Sequence, residues 1–271
     1  MSFNEDAGLD TSQVSDVRGG GGIPGGGIAI GGGAGPDQRD NTAISQQCRS
    51  GADANAREDC RVVATVNSVQ AYWKDEFARR GGSYEPARTI LFSDAVRTGC
   101  GTATSAVGPF YCPTDRRVYI DVDFFAELRN RFGAQGGPFA QEYVVAHEYG
   151  HHVQNLLGVM DRVGNDRQGA QGGSVRLELQ ADCLAGVWAH HAAQTTDRAG
   201  RPLLRPLTEA NIADALNAAE VIGDDRIQEQ TQGQVNPETW THGSSAQRQR
   251  WFSTGYHRGD LNSCNTFRGD I

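Results

Sequence analysis

The chain has 271 residues, with 25 Lys and Arg against 33 Asp and Glu, a formal net charge of −8 at pH 7, and 38% hydrophobic residues. That length accommodates one domain with a sizeable core, and the acidic balance argues against a nucleic-acid partner. The most apolar N-terminal stretch, residues 22–31, is far short of the roughly 20 residues a bilayer span needs, so no membrane-spanning helix is expected, and no basic region precedes an apolar core as in a signal peptide.

In chain order, residues 1–40 combine three glycine runs with scattered Asp and Glu. They offer little apolar surface to offset the entropy of ordering, which predicts a flexible tail at 1–40 and a folded domain at 41–271. Residues 54–77 read as a helix with Val62, Val66, Val69 and Trp73 on one stripe, closing at Gly81 and Gly82. Residues 89–92 and 117–122 read as short strands with 106–111 between them, and 124–131 as a helix. A helix over 139–157 follows, opened by Gly136, Gly137 and Pro138 and closed by Gly158. The next runs through Trp188 with Ser174 as N-cap and Leu177, Ala181, Leu184 and Trp188 on one face. Thr208 caps a further helix ending near Gly223, and Ser244 or Ser245 opens one running to about Thr254. Helices dominate and the strands make a small β-sheet, which is an α+β fold.

Chemistry concentrates at His147-Glu148-Tyr149-Gly150-His151. On a helix, His147 and His151 are one turn apart, so both imidazoles can reach one metal ion, with Glu148 beside them as a base. Chance alone predicts roughly 0.01 such patterns in a chain of this composition, so a surface helix with two solvated histidines is the weaker reading. Two histidines need a third protein ligand. In the metzincin pattern a Gly and a His would follow, where this chain has Gln154 and Leu157. The other large class takes a Glu from a later helix in the form E-x-x-x-D, which Glu178 and Asp182 match. Glu178 is then the candidate third ligand, and Asp182 the acceptor for the free ring nitrogen of a ligand histidine. Gly150 is a poor helix residue, and its presence suggests that a side chain there would crowd something near the metal. His152 points about 100° away from His151, and His190, His191 and His257 have no recommending spacing.

Six cysteines remain. Cys48 and Cys60 are separated by the same interval as Cys100 and Cys112, leaving Cys183 and Cys264. Six cysteines allow fifteen pairings, but an even count with two matched short loops favours three disulfides and an oxidising compartment. A second, structural zinc site and a free buried thiol at Cys183 are the alternatives, with a cytoplasmic location if the thiols are free.

The runs 146–154 (Ala-His-Glu-Tyr-Gly-His-His-Val-Gln) and 176–183 (Arg-Leu-Glu-Leu-Gln-Ala-Asp-Cys), then Thr241-His242-Gly243-Ser244 with Gln247 and Arg248, occur in that order. Together they resemble the bacterial putative neutral zinc metallopeptidase family over about residues 45–265. The resemblance implies a mostly helical zincin-like domain of gluzincin type, one catalytic Zn2+ held by His147, His151 and Glu178, and a peptide or protein substrate. The cysteines, read as disulfides, place such a protein in an extracytoplasmic setting, periplasmic or cell-surface. Members commonly carry an N-terminal membrane-spanning helix after a Gly-rich stretch, and this chain departs from that pattern. In the implied mechanism Glu148 is the general base, and His242, in the motif after the third ligand, is the first candidate to stabilise the oxyanion, with Arg248 second. Residues 108–122 are the candidate sheet edge for an extended substrate. A zinc-containing but non-hydrolytic peptide-binding or structural module is the alternative, for which Glu148 would have no use.

Overall fold

The structure, a computed structural model, describes residues 2–18, 41–131, 133–135, 137–165 and 167–271. The glycine-rich part of the expected tail, residues 19–40, and Gly136 of the expected helix opening lie outside them. Among the described residues are nine α-helices: α1 (Thr42–Gln47), α2 (Gly51–Ala56), α3 (Glu58–Arg79), α4 (Phe124–Asn130), α5 (Pro138–Leu156), α6 (Gly173–His191), α7 (Glu209–Val221), α8 (Asp224–Gln232) and α9 (Ser245–Arg258). Six short strands accompany them: β1 (Val14–Asp16), β2 (Arg88–Phe92), β3 (Ala95–Thr98), β4 (Gly101–Thr104), β5 (Phe110–Cys112) and β6 (Arg117–Asp121). The mostly helical α+β expectation describes this fold.

The main sheet has the order β1-β2-β6-β5, with β1, β2 and β6 parallel and β5 antiparallel to β6, while β3 and β4 form a separate hairpin. Of the segment 108–122 expected at the edge, only β5 is an edge strand. β6 is interior, because its backbone pairs with β2 on one side and β5 on the other.

The expected tail is corrected at its start. Phe3 and Val14 are buried, Asn4 Nδ2 donates to the carbonyls of Pro202 (2.9 Å) and Leu204 (3.1 Å), and Val14 pairs with Thr89 in the sheet. The apolar residues Phe3, Ala7, Leu9 and Val14 give residues 2–18 enough surface to bury, which the glycine runs after them obscure. The helix expected over 54–77 is also two helices. Arg57 adopts an extended backbone (φ −132°, ψ 136°) and turns its guanidinium onto Asp59, separating α2 from α3. The stripe of Val62, Val66, Val69 and Trp73 is buried as expected. Thr208 and Ser244 cap α7 and α9 with capping boxes, whereas α6 begins at Gly173 with Gly172, not Ser174, in the N-cap position.

α5 lies at the centre and is buried from Phe139 to Gln154. One side meets the sheet, where Tyr149 Oη bonds Thr89 Oγ1 (2.9 Å) and donates to the Ala87 carbonyl (3.2 Å). The other side meets α6, with Phe139 stacked on Trp188 at a centroid distance of 6.0 Å. α6 in turn packs backbone to backbone on α9, since a Cβ at Gly255 would stand 1.9 Å from the Cys183 carbonyl oxygen. Disulfides Cys48–Cys60, Cys100–Cys112 and Cys183–Cys264 are all formed, as the cysteine spacing suggested, and the last ties α6 to the chain beyond α9. No helix of the described residues is long and apolar enough to cross a membrane.

Candidate metal centre

His147 and His151 face α6 from consecutive turns of α5, and Glu178 faces back between them. Its Oε2 lies 3.1 Å from His147 Nε2 and its Oε1 3.4 Å from His151 Nε2. One donor atom from each residue falls within 4.8 Å of the others. The close approach of the helices depends on Gly150: a Cβ there would stand 2.9 Å from the Ala181 carbonyl oxygen and 3.0 Å from Ala181 Cα. The crowding anticipated at Gly150 is therefore with the backbone of the helix that carries Glu178 and Asp182.

The outer nitrogens of both imidazoles are occupied. His147 Nδ1 is 2.8 Å from Asp182 Oδ1, and an ionised carboxylate only accepts, so Nδ1 carries the proton. His151 Nδ1 is 2.8 Å from Gln154 Oε1, whose amide nitrogen donates to the Leu177 carbonyl at 2.7 Å and to Gln180 Oε1 at 3.1 Å. That fixes Gln154 with its oxygen towards the ring, so His151 Nδ1 is also the donor. Both Nε2 lone pairs then face the Glu178 carboxylate. Three acceptors aimed at one point repel unless a cation lies between them, and two neutral imidazoles with one carboxylate are a donor set suited to zinc.

The electrostatics express the same demand. Burial opposes charging of His147, yet Asp182 and Glu178 outweigh it and raise its imidazole to about 10. His151 is raised in the same way, burial again opposing and Glu178 prevailing. Glu178 is held well below the usual carboxylate range despite burial, by His151 and His147 and then by His242. Asp182 and Glu178 thus favour positive charge at this point, which a metal ion would supply.

Glu148 follows His147 in the buried helix, and burial raises its carboxyl above the ordinary value. Among the described residues it has no hydrogen-bond or ion-pair partner, which leaves both oxygens available. His152 faces the opposite way, to Tyr111 Oη (3.1 Å) and the Glu85 carbonyl (2.7 Å), and takes no part in the cluster. His190 and His191 bond the Tyr256 and Gly259 carbonyls.

His242 lies in the loop before α9, half exposed, with Nδ1 3.2 Å from Asp224 Oδ1. The hydrogen bond to Asp224 raises its imidazole, and burial opposes this. Asp224 Oδ2 also accepts the backbone N–H of Thr241 (2.8 Å), His242 (2.6 Å) and Gly243 (3.0 Å), so one carboxylate clamps the whole loop. Arg248, the second oxyanion candidate, is corrected. It is 3% exposed and donates to Asp182 through Nε (2.9 Å) and Nη2 (3.0 Å), on the far side of His147 from the Nε2 cluster. Gln154 and Asp224 were not identified from the sequence. The first had a local signal in its i+3 spacing from His151, whereas the second acquires its partners only through folding.

A cavity of about 780 Å3 lies elsewhere, between residues 8–13, α3 and residues 196–203, and includes none of these side chains. β5 runs along the C-terminal half of α5, where Tyr111 Oη accepts from Asn155 Nδ2 at 2.8 Å.

Comparison with known proteins gives the cluster a context. Residues 27–267 match the family described as putative neutral zinc metallopeptidase. An uncharacterized protein of Mycobacterium bovis, Mb2605, is 58% identical over 235 residues, spanning 85% of this chain and 79% of that protein, and Rv2575 of Mycobacterium tuberculosis matches equally. YpfJ of Escherichia coli K12, also uncharacterized, is 43% identical over 224 residues, spanning 81% of this chain and 74% of its own. No solved structure is detectably similar.

Proposed function

The chain belongs to the family described as putative neutral zinc metallopeptidase, and from that premise we propose that it hydrolyses peptide bonds in peptides or proteins as a gluzincin-type enzyme, with one zinc ion held by His147, His151 and Glu178. The observation that carries this reading is the convergence of those three donors beside Glu148, a buried carboxyl with no described partner. A brace between two helices would need the ligands but not the base.

When bound, zinc supplies a Lewis acid for the carbonyl and water acidic enough to ionise near neutrality. Glu148 takes the proton of the attacking water and returns it to the leaving amine. Its carboxyl, raised by burial, is suited to both transfers. Asp182 holds His147 with Nε2 inward, and Gln154 does the same for His151. His242, held through Nδ1 by Asp224, would donate from Nε2 to the developing oxyanion in its protonated form, the form that the Asp224 hydrogen bond favours. The edge of β5 beside α5 is the place where an extended substrate would pair.

The catalytic domain spans residues 41–271, completed by residues 2–18. Three disulfides favour an oxidising, extracytoplasmic compartment. The reading is tested by elemental analysis alongside cleavage of a diverse peptide library. One zinc per chain with zinc-dependent cleavage is the expected result, and a zinc-loaded protein that cleaves nothing would leave only the binding or structural module.

A further inference from the structure

We propose that Arg248 and Tyr143 are positioning residues for His147, acting through Asp182; the inference rests on His147 being a metal ligand. Asp182 is fully buried and takes four hydrogen bonds from three partners. Its Oδ1 accepts from His147 Nδ1 (2.8 Å), Tyr143 Oη (2.5 Å) and Arg248 Nη2 (3.0 Å), and its Oδ2 from Arg248 Nε (2.9 Å). Tyr143 lies one turn before His147 on α5, Asp182 is on α6 and Arg248 on α9, so three helices meet at one carboxylate.

The arrangement is more than Asp182 needs for its own burial. A carboxylate bonded only to an imidazole can turn about its broad terminal torsion and carry the ring with it. Here the Arg248 fork engages both oxygens and fixes the carboxylate plane, while the Tyr143 hydroxyl fixes Oδ1 from the side of α5. Arg248 Nη2 also approaches His147 Nδ1 to 3.5 Å; both atoms are donors, so the two are held together only by converging on Oδ1. Its Nη1 reaches the Ile222 carbonyl (3.3 Å), which anchors the guanidinium to the end of α7. Buried ion pairs of this kind are poor sources of stability, and replacement by apolar residues is often neutral or better. What such residues could not do is aim an imidazole. The result is a Nε2 whose direction is set two bonds away, by residues that never touch the metal.

The test uses the full chain with Tyr143→Phe, which removes one oxygen, and Arg248→Lys, which keeps the charge and loses the fork. Zinc affinity is measured by chelator competition, and thermal midpoints are measured on metal-free protein. Losing an outer-shell partner typically costs 10–100-fold in metal affinity; we expect about tenfold for Arg248→Lys and several-fold for Tyr143→Phe, with the metal-free midpoint of Tyr143→Phe near that of wild type. Wild-type zinc affinity in Tyr143→Phe would overturn the proposal. So would an Arg248→Lys protein with unchanged zinc affinity and a kcat lower by 10²–10³, the pattern of a lost oxyanion donor. If Arg248→Lys does not fold, Tyr143→Phe carries the test alone. The affinity ratio does not depend on cleavage, so a wild type that binds zinc and cuts nothing sinks the peptidase reading and leaves this result standing.

Discussion

Gln154 accepts the Nδ1 hydrogen of His151 at 2.8 Å, from the next turn of the same helix. The position that departs from the metzincin pattern thus orients a candidate ligand of this cluster. Replacing Gln154 by Leu removes the acceptor and leaves a buried N–H unpaired beside the Leu177 carbonyl that Gln154 also served. Zinc affinity is expected to fall about 10–100-fold, read by chelator competition, and unchanged affinity would show that the ring needs no such partner.

Gly150 sets the distance between α5 and α6. Alanine there would gain about 1 kcal/mol of helix propensity, but its Cβ would press on the Ala181 backbone at 2.9 Å, where no flexible side chain can yield. Overpacking of this sort costs about 1–3 kcal/mol, so Gly150→Ala is expected to lower the thermal midpoint and, by moving Glu178 from the histidines, to weaken zinc binding. A variant more stable than wild type with full zinc affinity would contradict this role.

Much of the site was legible in the sequence because it is local. One-turn spacing relates His147 to His151 and Glu178 to Asp182, and capping residues mark α7 and α9. Contacts between distant segments were not legible. Asp224 stands apart from the 241–243 loop until α8 folds back, and Arg248, read as an oxyanion donor, could not be known to face Asp182 across the α6–α9 contact. β1 has three residues, too few to show a period, and only its pairing with β2 identifies it. The break at Arg57 falls in a polar stretch before the apolar stripe begins at Val62, with no Gly or Pro to mark it, so periodicity could not show it.

His242 and Asp224 separate catalysis from metal binding. His242→Ala is expected to lower kcat by about 10²–10³ with zinc content unchanged, the usual cost of an oxyanion donor. Asp224→Asn should fall in the same direction, since the clamp on three backbone N–H groups loses its charge. Steady-state kinetics beside zinc analysis checks both, and loss of zinc from His242→Ala would instead make it a ligand.

Glu142, on α5 five residues before His147, is fully buried with neither oxygen hydrogen-bonded among the described residues, and burial raises its carboxyl to about 8, the positive charge of Arg61 opposing. The folded state therefore holds a proton that the unfolded chain releases near 4.5. The stability from this group is complete below that value and is lost as pH rises towards 8. Glu142→Gln should remove the loss, gaining on wild type by up to about 1.4 kcal/mol per pH unit across that window in denaturant titrations. Parallel curves for the two proteins would show that Glu142 ionises freely.

In the proposed site Glu148 works as a base beside a metal it does not hold. Glu148→Gln keeps the size of the side chain and removes its ability to take a proton. Measuring zinc stoichiometry and peptide-library cleavage on this variant beside wild type, we predict equal zinc and loss of cleavage by two or more orders of magnitude. Equal zinc with cleavage retained would show that Glu148 is not the base.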